Sequence, residues 1–200
     1  IAHSHGLIHL GCWAHARRYF VEAEAVLPKA VRRPDQLATQ FIAAIARLYA
    51  VEAKVKGKGV AERAQLREAA SRSILAEIQQ LLVTHRHSVT PGSLLGKALH
   101  YLEAQWPKLI RYVENGAWPI DNNLCENAIR PFVVGRRNWL FSDTVAGANA
   151  SANIYSLIET CKINGIEPFA YLKATLTAIA NGHPQSRLDD LLPWNFTPSR

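Results

Sequence analysis

From Ala14 onward the sequence reads as one helix after another, and that leaves little room for a sheet. Leu37, Phe41, Ile45, Leu48 and Val51 recur at three- and four-residue intervals, the spacing of a helix with one buried stripe. Trp13, Ala16, Phe20, Ala23 and Leu27 form a similar stripe, limited by Pro28 and Pro34. Residues 60–86 are rich in strong helix formers, with Glu62 and Glu68 set against Arg63 and Arg67. Those charges read as a solvated face. Residues 90–116 predict a fourth helix, kinked at Pro107 and stopped by Gly116. Later helices end at Gly165 and Gly182, the second starting near Pro168, and a Pro-broken tail follows. The one convincing strand candidate is GLIHLGCW, Gly6 to Trp13, short, apolar and opened by Gly.

One stretch departs from ordinary helix surface. PIDNNLCENAIRPF, Pro119 to Phe132, crowds Asp121, Asn122, Asn123, Glu126, Asn127 and Arg130 together. Short polar side chains compete for backbone hydrogen bonds and are poor helix-interior residues. A helix starting at an Asp121 cap and ending near Pro131 puts Asn122, Asn123, Glu126 and Arg130 on one face, with Leu124 and Ile129 candidates for burial. Two readings follow. In one, Asp121 caps the helix and Glu126 pairs with Arg130 four residues on. In the other, Glu126 is aimed and partly desolvated as a ligand for a hard cation such as Mg²⁺ (or Mn²⁺), with Arg130, Arg136 and Arg137 nearby for phosphate oxygens. Such a set suits phosphodiester chemistry, in which metal ions clamp the attacking and leaving oxygens.

Charge bears on the choice. The chain has 23 Lys and Arg against 16 Asp and Glu, a net +7, and a pI near 9.5. A polyanion such as DNA is the favoured partner. At 48% hydrophobic and 20% charged, 200 residues can bury a real core. Cys12, Cys125 and Cys161 are widely spaced and odd in number, which argues against a disulfide scaffold and for a reducing compartment. Cys125 and Cys161 read as small buried residues. No apolar run reaches membrane-spanning length. The chain has no Met, even at position 1, and opens IAHSHGLIHLGCWAH, so the expectation is a part of something longer.

GCWAHARRYF, followed much later by PIDNNLCENAIRPFVVGRRNWLFSDTVAGANASANIYSLIETCKINGIEPFAYL and then RLDDLLPWNF, resembles the C-terminal part of transposases of the insertion sequence sixty-six family. The resemblance covers nearly the whole chain. It implies a mainly α chain: the C-terminal fragment of a ribonuclease-H-like α/β domain, with a large helical insertion and about one strand retained. Residues 1–33 would be a strand and first helix of the core, 34–115 the insertion, 116–182 core helices carrying the Glu, and 183–200 a tail. It implies an Asp-Asp-Glu triad in which Glu126 is the third acid and metal ligand. Both Asp would precede Cys12 to His15, and therefore residue 1; none of Asp35, Asp121, Asp143, Asp189 or Asp190 takes their place. The implied activity is DNA transposition, by metal-dependent cleavage and strand transfer in a longer transposase, with this chain inactive alone. A bacterial, cytoplasmic, nucleoid-associated location goes with it. So do a homo-oligomer on transposon ends and target DNA, and accessory proteins encoded by the element.

Supporting roles fall to Asn122 and Asn123, which would position Glu126 or a metal-bound water, and to His15. Arg17 and Arg18 beside aromatics, Arg130, Arg136, Arg137 and Lys162 are the DNA-contact candidates. Trp139 reads either as a stacking platform or as core beside Leu140 and Phe141. His3, His5, His9, Cys12 and His15 raise a zinc site as a separate reading. The other class of function is a non-catalytic DNA-binding or assembly remnant of a mobile element.

Overall fold

The computed structural model describes residues 7–139 and 142–197, and the side chains of Arg137 and Trp139 fall outside what is described. The chain divides into two compact units, residues 1–124 and 125–200.

In the first unit, α1 (Trp13–Ala25), α2 (Leu37–Val55), α3 (Val60–His85) and α4 (Leu94–Leu109) pack as a helical bundle. The apolar stripes read from the sequence form its centre. Trp13, Phe20, Phe41, Ile45, Leu48, Ile78, Leu99, Leu102 and Leu109 are all fully or almost fully buried in one cluster. Phe20 and Phe41 stack with centroids 4.4 Å apart, and the Trp13 indole N–H donates to the Leu109 carbonyl at 2.9 Å, so the largest ring leaves no polar atom unpaired. Ser93 caps α4, its hydroxyl accepting from the Gly96 amide at 3.0 Å. Pro107 lies inside α4, and three residues later the chain tightens into a 3₁₀ turn, Ile110–Glu114. A proline removes one helical hydrogen bond and crowds the preceding turn, which favours such a change of winding.

The second unit holds most of α5 (Asn123–Trp139), with α6 (Val145–Ile163), α7 (Pro168–Ala180) and the 3₁₀ turns Gln185–Leu191 and Pro193–Asn195. Thr144 caps α6 and Glu167 caps α7, the latter accepting from the Phe169 and Ala170 amides at 3.0 and 2.6 Å. Gly165 and Gly182 follow the ends of α6 and α7 with φ of 70° and 83°, the left-handed stop that glycine adopts without strain. The tail folds back on α7: the Tyr171 hydroxyl donates to the Leu191 carbonyl at 2.7 Å, and its ring meets Phe196 edge-on.

Two expectations need correction. There is no strand among the described residues, and Leu7–Cys12 is irregular backbone. Its contacts are made by single hydrogen bonds to helix ends, such as Gly11 N–H to the Lys108 carbonyl at 2.9 Å; without a paired ladder a short apolar run does not become a strand. The helix around Glu126 also begins two residues after Asp121 and runs through Pro131 to Trp139. The mainly α character stands.

Candidate functional site

The approach to the acid-bearing helix is fixed by a side chain that looked like solvated surface. Arg67 is 1% exposed. Its Nε and Nη2 donate to Glu52 Oε1 and Oε2 at 2.8 and 2.7 Å, a bidentate pair between α3 and α2. Its Nη1 donates to the carbonyls of Tyr112, Asn115 and Trp118 at 2.9, 3.0 and 2.9 Å. Carbonyls at the end of a helix lack partners within it. One guanidinium thus bonds the Tyr112 carbonyl in the 3₁₀ turn and those of Asn115 and Trp118 just beyond it, and ties the segment leading to α5 onto the bundle. Gly116 sits against the same helix so closely that a Cβ there would lie 1.9 Å from the Val60 carbonyl oxygen. The Ile120 carbonyl accepts from the Trp13 amide at 3.2 Å.

Asp121 ends this segment. Its Oδ1 accepts the Asn123 amide at 3.1 Å, and its Oδ2 accepts the Asn123 side-chain amide at 3.0 Å and the Tyr49 hydroxyl at 2.8 Å. The Asp121 carboxylate thus holds the first residue of α5 and joins it to α2. Burial, and then the bond to Asp121, hold the Tyr49 hydroxyl well above the ordinary tyrosine range, so it stays a donor.

The structure brings some sequence candidates together. Arg17 and Asn123 line one groove with Ala14, Ala46 and Tyr49. Asn122 lines a cleft of about 340 Å³ with Asp121, Tyr101 and the irregular run from His9 to Cys12. His15 is half-buried in α1, and Arg18 is exposed beside it. Glu126, Arg130 and Arg136 are exposed on α5. Lys162 is bound to Glu159, Nζ to Oε1 2.6 Å, which partly neutralises it.

Other expectations are not met. Glu126 is exposed instead of partly desolvated, and Leu124 and Ile129, the candidates for burial on this helix, are 85% and 51% exposed. Cys125 is exposed as well, whereas Cys161 is buried as expected. An amphipathic helix buries its stripe only where another element covers it; on α5, Phe132 meets Tyr155 of α6 edge-on at 5.1 Å. Among the described residues no three His, Cys, Asp or Glu side chains converge. For the zinc reading, His9, Cys12 and His15 do not make a ligand set, and His3 and His5 lie outside the described residues. So do Leu140, Phe141 and the ring of Trp139, and with them the stacking question, and the Arg137 side chain. No helix among the described residues is long and apolar enough to cross a membrane.

Residues 1–150 match the family model described as Transposase IS66 family, and residues 156–194 match the IS66 C-terminal element. This chain belongs to the IS66 transposase family. It is similar to two uncharacterized proteins of Sinorhizobium fredii (strain NBRC 101917 / NGR234). To y4qI it is 37% identical over 188 residues, 94% of this chain and 34% of that protein. To y4hP it is 31% identical over 191 residues, 92% of this chain and 34% of that protein. The chain thus spans about a third of the length of the curated relatives it matches. No solved structure matches it significantly.

Proposed function

We propose that the chain is the acid-bearing C-terminal part of a DNA transposase that cuts and joins phosphodiester bonds with divalent metal. The carrying observation is the family match across both stretches, 1–150 and 156–194. In this reading Glu126 supplies one carboxylate to the metal centre. Asn122 and Asn123 support the start of its helix, and Arg130, Arg136 and Arg137 contact DNA phosphates, as do Arg17, Arg18 and Lys162.

The residues present do not make a metal centre by themselves. Glu126 offers a single carboxylate, and no group of three candidate ligands forms among the described residues; two ions in an in-line phosphoryl transfer need several. The missing acids belong to the rest of a protein as long as the relatives. The ribonuclease-H-like character of the complete domain, its assembly as a homo-oligomer and its nucleoid location are parts of the same proposal. What this chain contributes is Glu126 itself, a segment up to Asn123 held to the bundle through Arg67 and Asp121, and a basic surface. Sixteen of the 23 Lys and Arg but only ten of the 16 Asp and Glu lie in residues 1–124, so the first unit carries a net +6 of the chain's +7.

The test is Glu126→Gln in a full-length family member carrying this stretch. Strand cleavage is abolished while folding and DNA binding stay near normal. Retained cleavage removes Glu126 from the reaction. The lone acid also favours a second reading, a non-catalytic DNA-binding remnant. In that case the full-length protein binds DNA, and neither it nor its variant cuts.

A further inference from the structure

A cleft of about 710 Å³ opens between the end of α3, the turn after it, α4, and Tyr19 of α1. It shares no residue with Glu126 or with the arginines assigned above. Lys97 and His100 stand three residues apart on α4 and so occupy one face. Arg86 and His87 enter from the end of α3. Among the described residues Glu103 is the only carboxylate in the lining, and it is engaged by Arg86 at 2.6 Å. Lys97 has no ion-pair partner among the described residues, which leaves its charge uncompensated. The N-terminal turn of α4 also borders the cleft at Gly96, and its amide dipoles add positive potential. Apart from Gln105 the remaining wall is mostly apolar, and part of it is flat: Tyr19 and Tyr101 stack with centroids 4.6 Å apart and planes 28° from parallel.

Cations beside a flat apolar wall suit a ligand whose anionic groups alternate with less polar ones. A phosphodiester backbone has that character, with phosphate oxygens separated by deoxyribose rings. A small free anion would use only the cations. We propose that this cleft seats the sugar-phosphate backbone of duplex DNA, as an anchorage within the helical insertion separate from the acid-bearing helix. The inference rests on the reading of DNA as partner, and the experiment separates the two.

The 200-residue chain is titrated against a fluorescein-labelled duplex oligonucleotide by anisotropy across a salt series. Lys97→Glu is compared with Lys54→Glu, an exposed lysine on α2 given the same charge change. Losing a phosphate contact lowers the slope of log affinity against log salt by about one. The expected result is roughly tenfold weaker binding and a slope shallower by about one for Lys97→Glu, with less than about a twofold change for Lys54→Glu. Matching circular dichroism and urea midpoints establish that both variants fold. Equal losses in the two variants overturn the inference and leave the DNA reading in place. Absence of salt-dependent binding by the unmodified chain removes both. Two competitors complete the test on the unmodified chain. Inorganic phosphate or polyglutamate that displaces the duplex as well as unlabelled DNA does, at matched charge, shows a general anion or acidic-polymer site and overturns the inference.

Discussion

Residues 1–124 and residues 125–200 differ in how they treat the same kind of sequence. Both are built from amphipathic helices, yet the first unit buries its stripes and the second leaves them open. In the first, Trp13, Phe20, Phe41, Ile45, Leu48, Ile78 and Leu102 have no exposed surface above a trace. In the second, the residues found buried among those described are Cys161, Tyr171 and Pro193, while Val145, Ile163, Phe169, Leu176 and Trp194 are 79, 79, 73, 64 and 61% exposed. Stability follows buried area. The basic helical part is therefore a self-supporting frame. The part carrying Glu126 holds its helices mainly through caps, the Phe132–Tyr155 contact and the tail over Tyr171.

The comparison breaks first at the core and the buried charge. Phe41→Ala removes a ring stacked on Phe20 at zero exposure and costs about 3–5 kcal/mol; urea unfolding followed by tryptophan fluorescence measures it. Arg67→Met leaves Glu52 without its guanidinium and the Tyr112 and Trp118 carbonyls without this donor, while the Asn115 carbonyl keeps the Trp118 amide, and also costs about 3–5 kcal/mol. Adding Glu52→Gln to Arg67→Met recovers part of that loss, because an unpaired buried charge is most of the penalty. If Arg67→Met leaves the urea midpoint unchanged, the clamp contributes nothing and the frame ends at α4.

Smaller changes sharpen the contrast. Gly116→Ala forces its new methyl toward the Val60 carbonyl and destabilises by about 1–3 kcal/mol. Tyr49→Phe removes the hydroxyl that reaches Asp121 and costs about 1 kcal/mol. The tyrosines also set a pH dependence. Burial raises Tyr49 above the ordinary range and Tyr112 to about 12. A group whose folded pKa lies above its unfolded value of about 10 stabilises fully below that pH and loses the contribution as pH rises through the folded value. Urea midpoints of the chain therefore fall above about pH 10, and by less in Tyr49→Phe. Phe169→Ala, at 73% exposure on α7, stays within about 0.5 kcal/mol.

The helices were legible because periodicity is local: α2, α3, α6 and α7 lie within two residues of where the sequence places their ends. Arg67 was not legible. Spacing along α3 puts no acid three or four residues from Arg67; Glu62 and Glu68 pair with Lys58 and Arg72, and the partners of Arg67 come from α2 and from the segment after α4. Nothing local marks that burial. The reverse error occurred at Leu124 and Ile129, where an apolar pattern suggested burial and the structure leaves the first almost bare and the second half exposed. Leu7–Cys12 failed similarly, since a strand exists only with a partner. Of the site, the sequence singled out the motif around Glu126, and named Arg17 and Asn123 separately; that these two line one groove was not readable. Nor was the Tyr49–Asp121 bond, across 72 positions.

Amide hydrogen exchange on the isolated chain tests the central contrast most directly. The account predicts strongly protected amides throughout α1–α4, opening together near the global unfolding free energy, and exchange many-fold faster in α5–α7 through local opening. Equal protection of both units, lost in one cooperative step, would contradict it.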